Sequence, residues 1–455
     1  MREIKKKDIN KFLRFEDKSN FENIVFFKKK VWPVVRYAVF YYLCSEKQYS
    51  YRHKAKKKLN LKKIIAIIYS FLSLKNIFSR CDILIYEYGR PQKIGKQTIN
   101  PLKYSLAKSI SKKFILSYVT KDYENTSNDQ VNFYLIYKFF FIIYKLLFII
   151  FGIKILEDKL NSKISGTYRR KINVNSILFD VFCHQLALGF IFEIIFFFKK
   201  PKIIFYSDNA EMSDVIYRAK KRKIITIDVQ HSIISNINIL YQHNKNNYYR
   251  NYLSDYVLTQ SDYWKKFVSK SYTVKAVGSF LNDYYTNKYK KKKFVKDNIT
   301  VISSIVSRKK LIRLTTYLSE RFPKKKIIYK LRPEEYTNWR KYFPKDLYNR
   351  SNVYFVDNEN DELYKILNNS KYVIGTNSTV LIQSLPFSQV IVLKSGWYSE
   401  MNTLIEDGYV KLAKNENEVF KIISGNKRNI NRSNISLFKK NFSYNLKKFI
   451  NSLDL

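Results

Sequence analysis

Acidic residues are scarce in this chain. Its 455 residues carry 37 Asp and Glu against 84 Lys and Arg, a formal charge of +47. A chain this basic is expected to meet a polyanion: anionic lipid, nucleic acid or a phosphorylated substrate. Cysteine is scarcer still. Cys44, Cys81 and Cys183 are odd in number and widely spaced. They exclude a disulfide framework and a cysteine zinc site, and they fit a reducing compartment. Histidine occurs four times. No His, Cys or Asp group has metal-ligand spacing and no Asp-X-Asp sequence occurs, so neither an essential metal nor a cofactor is expected. The start, MREIKKKDINKFLRFEDK, lacks the apolar core of a signal peptide, which predicts a cytoplasmic location. No internal repeat is visible.

Apolar residues are plentiful. Hydrophobic residues make up 46% of the chain and aromatics 17%, too many for disorder. The length suits two domains, each able to bury a core. The stretch 202–232, KIIFYSDNAEMSDVIYRAKKRKIITIDVQHS, is the most informative. A β-rich run at 203–206 leads through a polar turn into a helical stretch ending at Ala219. A second β run at 224–227 ends in Asp228, Val229, Gln230, His231 and Ser232. This strand–helix–strand crossover is the unit of a parallel sheet. Polar residues follow both strands, where open α/β sheets place ligands.

Upstream, the first 80 residues read as helical, basic and aromatic, with helices at 31–43 and 61–74. Strands are expected at 82–86 and 113–118 with a helix at 102–111 between them. Beyond the crossover, 255–259 reads as a strand and 263–268 as a helix. The basic, polar stretch 282–298 is the best linker. The pattern then restarts. Strands are expected at 299–305, 326–330, 352–356, 372–374 and 389–393, and helices at 308–321, 361–367 and 380–385. Alternating elements predict an α/β fold: two Rossmann-like domains, each with a mostly parallel sheet, facing a cleft (GT-B). Residues 1–281 form the N-terminal, acceptor-side domain with a helical, membrane-facing start. Residues 299–455 form the C-terminal, nucleotide-binding domain with a final helix.

One segment, 133–156, is strongly apolar but is interrupted by Lys138, Lys145 and Lys154. A lysine near a bilayer centre costs about 2.5–3.5 kcal/mol, which argues against a simple span. The segment reads as an interfacial or membrane-docking helix, or alternatively as a core helix of the first domain. The second apolar stretch, 176–198, carries Asp180, His184 and Glu193 and reads as a buried helix before the strand at 203.

Several of these stretches, in this order, resemble bacterial GT-B glycosyltransferases of capsule and surface-polysaccharide synthesis. They are VWPVVRY near the start, DILIY followed by GRP, DVQHS, DYVLTQSDYW, KLRPEE and GTNSTVLIQSL. The layout is also similar to teichoic-acid polymerases and to sialyl- and Kdo-transferases. The resemblance implies an inverting, metal-independent transferase at the cytoplasmic face of the membrane. It would use a nucleotide-sugar donor and a lipid-linked or membrane-proximal glycan acceptor, with a CMP-sugar transferase as the alternative. The chain departs from the family where Ser232 replaces the glycine after Gln-His, where Arg332 precedes Pro333, and where Gln383 replaces a ribose-binding Glu.

The residues themselves point to the same chemistry. Sugar transfer needs a base for the acceptor hydroxyl and positive potential for the departing phosphate. Thr376, Asn377, Ser378 and Thr379, between a strand and a helix, offer hydroxyl and amide donors, although Asn377 or Ser378 could serve as an ordinary helix cap. Lys330 and Arg332 end a strand on what could be the same sheet edge. His231 is the first candidate base, since an unperturbed pKa of about 6.5 suits proton abstraction. The alternative is a structural histidine ordering its loop. Asp208 and Glu87 are rival bases. His243, in an Asn-rich loop, reads as acceptor-binding or surface. Nucleic-acid binding and a non-catalytic role in polysaccharide assembly are the competing classes. The lysines are spread without a recognisable nucleic-acid module, so no nucleic-acid partner is expected.

Overall fold

The computed structural model describes residues 4–45, 71–86, 92–94, 97–99, 101–110, 114–120, 130–168, 174–207, 209–244, 249–290, 297–358, 363–396, 398–425 and 437–453. The chain divides into two units. The first comprises 1–91, 100–278 and 441–455, and the second 92–99 and 279–440.

The first unit is built on a seven-stranded sheet. Its strands are β1 Ile83–Tyr86, β2 Leu116–Thr120, β3 Gln130–Asn132, β4 Ile203–Tyr206, β5 Ile225–Val229, β6 Tyr256–Thr259 and β7 Thr273–Ala276. Their spatial order is β7-β6-β5-β4-β1-β2-β3, and every pairing is parallel. Strand order reverses between β1 and β4, the doubly wound arrangement that opens a crevice at the carboxyl ends of those strands. All four residues of β1 and of β4 are buried, as expected of central parallel strands covered on both faces. The helix Cys183–Lys199 lies over them and packs with Ser213–Lys221. Tyr86 meets Phe192 edge-on at 5.4 Å.

The second unit repeats the plan. Its strands are β8 Asn298–Ile302, β9 Ile327–Lys330, β10 Val353–Val356, β11 Ser370–Gly375, β12 Gln389–Leu393 and β13 Lys411–Ala413, in the order β10-β9-β8-β11-β12-β13. All are parallel, and order reverses between β8 and β11. The helix Arg308–Arg321 places Leu311, Leu314 and Leu318 on one face and buries all three against the sheet. Two parallel-sheet, Rossmann-like α/β units constitute a GT-B-type fold.

The sequence reading differs from the structure in three respects. Residues 282–290 of the expected linker lie in the helix Phe280–Lys290, in the second unit. Tyr285 stacks on Tyr364 there at 4.0 Å, so packing of its aromatic face overrides the polar composition. The last helix, Phe442–Asn451, belongs to the first unit rather than the second. Ser443 hydrogen-bonds Ser109, Asn445 donates to the Val277 carbonyl, and Phe449 packs on Tyr256. The edge strands β3, β7 and β13 carried no sequence signal. The expected helix at 61–74 lies mostly outside the described residues, as does the loop 87–91.

The apolar segment 133–156 is two helices, Tyr134–Phe151 and Ile153–Tyr168, meeting at Gly152. A Cβ at Gly152 would lie 2.2 Å from the Phe26 ring, so only glycine permits this approach. Tyr134–Phe151 is not a core helix. Only 11% of it is buried, against 72% of the apolar 18-residue stretch within 178–199, and both helices are long and apolar enough to cross a membrane.

Candidate functional site

At the carboxyl edge of the first sheet, β5 runs two residues past the expected end, to Val229. Gln230 then locks the exit. Its Nε2 donates to the Ser232 carbonyl at 3.0 Å, and its Oε1 accepts from the Gln260 amide at 2.8 Å, tying the ends of β5 and β6 together. Within β5, Asp228 is fully buried and accepts from the Tyr241 hydroxyl at 3.0 Å.

His231 follows with an exposed side chain, whose ring makes no hydrogen bond to a described residue. Crowding by surrounding protein lowers its pKa to about 4 through desolvation. The unperturbed value assumed from the sequence therefore does not apply, and the imidazole is neutral throughout the physiological range. The loop-ordering role belongs to Gln230. Asp208 and Glu87, the rival bases, lie outside the described residues. The strands that precede them, β4 and β1, flank the reversal of strand order.

His243 is not a surface residue. Its Nε2 lies 3.0 Å from both the Leu240 carbonyl and the Tyr272 hydroxyl, and its Nδ1 3.3 Å from the Tyr249 hydroxyl. Burial, and secondarily the Arg36 guanidinium, push its pKa well below the usual range. Arg36 is itself buried on the helix Trp32–Ser45. It bonds Glu16 through Nε at 2.6 Å and Nη2 at 2.8 Å, and donates to the carbonyls of Ile239 and Gln242, each at 2.7 Å. The loop after His231 is thus anchored to the N-terminal helices by one buried ion pair. Among the described residues, a small cavity beside it is lined by Arg36, Ala210, Ser213, His243, Tyr249 and Tyr272.

In the second unit, Lys330 pairs with Ile302 on β8, and the register of β8 with β11 brings Ile302 level with Gly375. Lys330 and Gly375 therefore stand two strands apart at the same carboxyl edge, about 10 Å from one another. Arg332 and the residues 376–379 extend from that edge. Arg332 is exposed, and its backbone amide is held by Glu335 Oε2 at 3.1 Å. Glu335 is buried and paired with Arg308 at 3.0 Å, at the start of the helix after β8. The Lys330 ammonium donates to the Tyr336 hydroxyl at 2.7 Å and to the Asn358 carbonyl at 3.3 Å, so it is held rather than free to swing.

Thr376 is buried and donates to Asn377 Oδ1 at 3.2 Å. Ser378 caps the helix Thr379–Ser384 by accepting from the Val380 amide at 3.3 Å. That helix has only six residues, so the polar side chains and loop amides contribute more than a helix dipole. Glu400 joins this group. It accepts a hydrogen bond from Asn377, yet burial raises its pKa to about 7. No sequence signal marks Glu400, because its approach to Asn377 is tertiary. Gln230, Arg308 and Glu335 escaped notice for the same reason.

No protein-family model matches the chain, and no curated protein does. Solved structures match its fold. The UDP-GlcNAc 2-epimerase of Methanocaldococcus jannaschii, in complex with UDP-GlcNAc and UDP, aligns with a TM-score of 0.50 at 11% identity, over 81% of this chain and 98% of the other. The UDP-GlcNAc 2-epimerase of Neisseria meningitidis bound to UDP-GlcNAc aligns with a TM-score of 0.50 at 13% identity, over 82% of this chain and all of the other (100%). A putative UDP-N-acetylglucosamine 2-epimerase of Listeria monocytogenes gives 0.50 at 10% identity, over 81% and 95%. At these identities the likeness is one of fold, and it agrees with the GT-B-type architecture.

Proposed function

We propose that this chain is an enzyme acting on a nucleotide sugar, and that it transfers the sugar to a lipid-linked or membrane-proximal surface glycan. The observation that carries the reading is the polar edge of the second sheet. There Thr376, Asn377, Ser378 and Thr379 follow β11 at the strand-order reversal, and Lys330 and Arg332 stand at the end of β9, two strands away along the same carboxyl edge. Hydroxyl and amide donors beside the exposed Arg332 guanidinium suit a diphosphate, since charge-assisted bonds are the strong ones. The nucleotide sugars bound in the fold relatives support the same class of ligand.

Donor binding is assigned to the second unit and acceptor deprotonation to the first. His231 is the base. Its ring is neutral above about pH 5 and its exposed side chain leaves room for an acceptor, while a pKa lowered to about 4 makes it a weaker base than an unperturbed imidazole. Asp208 and Glu87 are the rivals for that role. As the departing phosphate gains charge, Arg332 and the hydroxyls of Ser378 and Thr379 stabilise it.

A second reading, epimerisation of the sugar, is favoured by the activity named for the fold relatives. The two differ in stoichiometry, because transfer consumes an acceptor and epimerisation does not. Incubation with UDP-, GDP-, CMP- and CDP-linked sugars, with and without a membrane glycolipid extract, tests this. Acceptor-dependent nucleotide release supports transfer. An epimeric sugar nucleotide formed without acceptor would replace it with epimerisation.

A further inference from the structure

We propose that the first unit docks on an anionic lipid bilayer through the exposed face of the helix Tyr134–Phe151. The face is continuous. Phe139, Ile142, Leu146, Ile149 and Ile150 recur at helical spacing, and each is more than half exposed, between 54% and 68%. A stripe of this kind on a folded domain marks an interaction surface. The opposite face of the helix is committed to the domain. Tyr137 and Phe148 are buried, and Tyr137 hydrogen-bonds His184 on the helix Cys183–Lys199. The helix also starts one residue after β3 ends, at Asn132, with Phe133 between them. A transmembrane orientation would tear it from the sheet, so it lies along the surface rather than across a bilayer.

Charge selects the occupant. Lys138 and Lys145, two turns apart, flank the apolar stripe, and Lys154 and Lys159 are exposed on the following helix. Lys145 is partly offset by Asp180 at 3.7 Å. Basic residues bordering an apolar face are the pattern of a helix seated in a headgroup layer, where ammonium groups meet lipid phosphates. A second copy of this chain fits poorly. Two-fold pairing would bring together like-charged borders on molecules of charge +47. Phe27 extends the surface, 54% exposed and 6.4 Å from Phe151.

Sedimentation with vesicles tests the proposal. The full chain is mixed with phosphatidylcholine vesicles and with vesicles of phosphatidylcholine and phosphatidylglycerol. The parent is expected to bind the mixed vesicles at least about tenfold more tightly than the neutral ones, and high salt should release it. Ile142→Asp with Leu146→Asp is expected to lower binding to the mixed vesicles by a further factor of about ten or more. Both positions are exposed, so the melting temperature should stay at the parental value. Light scattering is run on the same samples. Three results would each overturn the proposal. One is equal binding of the parent to both vesicle types, or to neither. Another is parental binding by the folded double variant. The third is a parental dimer that the double variant dissolves while vesicle binding persists.

Discussion

His231 and Gln230 are adjacent, and paired substitutions separate the base role proposed for the first from the hydrogen bonding of the second. Gln230 is buried and makes two side-chain hydrogen bonds, one to the Ser232 carbonyl within its own loop and one from the Gln260 amide that joins the end of β5 to that of β6. At about 0.5–1.5 kcal/mol each, Gln230→Ala should cost roughly 1–3 kcal/mol of stability. His231 has an exposed side chain and no ring hydrogen bond to a described residue, so His231→Ala should leave thermal and urea unfolding near the parental curves. Activity reverses the ranking. Loss of a positioned base lowers turnover by about 10²–10⁴-fold. Gln230→Ala should reduce turnover only through displacement of His231. The pH dependence adds a second readout. With its pKa lowered to about 4, His231 stays unprotonated down to about pH 5. The unfolded chain takes up a proton near pH 6.5 that the folded chain refuses. This group's contribution is therefore present above pH 6.5 and is lost as pH falls towards 4. The parent should weaken through that window more than His231→Ala does. Nucleotide release by His231→Ala at the parental rate would refute the base role and pass it to Asp208 or Glu87. A large loss of melting temperature in His231→Ala would restore the structural role that Gln230 now fills.

Other outcomes follow from the same geometry. Glu16→Ala leaves the buried Arg36 guanidinium without its carboxylate and should destabilise the first unit by about 3–5 kcal/mol, read by chemical denaturation. Arg332→Ala, and Ser378→Ala with Thr379→Ala, should each weaken nucleotide-sugar binding with little change in melting temperature. Each charge-assisted bond lost costs roughly 1.5–3 kcal/mol of affinity, read by calorimetry. Glu400, raised to about 7 by burial, is largely neutral below that pH. Affinity for an anionic donor should therefore fall as pH rises through 7 and the carboxylate appears beside Asn377. Glu400→Gln should flatten that dependence.

Much of the architecture was legible because parallel sheets bury their central strands on both faces. IIFY at 203–206, ITVI at 299–302 within the expected 299–305, and QVIVL at 389–393 read as strands because nearly every residue is apolar and buried. Within the two large sheets, the strands that escaped were β3 (QVN), β7 (TVKA) and β13 (KLA). All three are edge strands, short and only half covered, so no apolar run announces them. The linker misled for a related reason. Polar composition at 280–290 hides an aromatic stripe, Tyr285 and Tyr289, that packs on Tyr364 and Phe387. At the sites, the sequence supplied residues near strand ends, where chain order alone locates them. It could not supply Glu400 beside Asn377, or Arg36 across the loop after His231, because those meetings join distant segments. Nor could it supply the displaced pKa of His231, which depends on crowding.

The most direct test of a nucleotide-sugar enzyme is titration of the full chain with UDP, GDP, CMP and CDP and their sugar conjugates, followed by melting temperature. A specific ligand raises stability by mass action, about 2.7 kcal/mol at a hundredfold excess over its dissociation constant. One nucleotide class is predicted to raise the melting temperature of the parent, with the shift lost in Arg332→Ala. No shift with any nucleotide, or an equal shift in Arg332→Ala, would contradict the account.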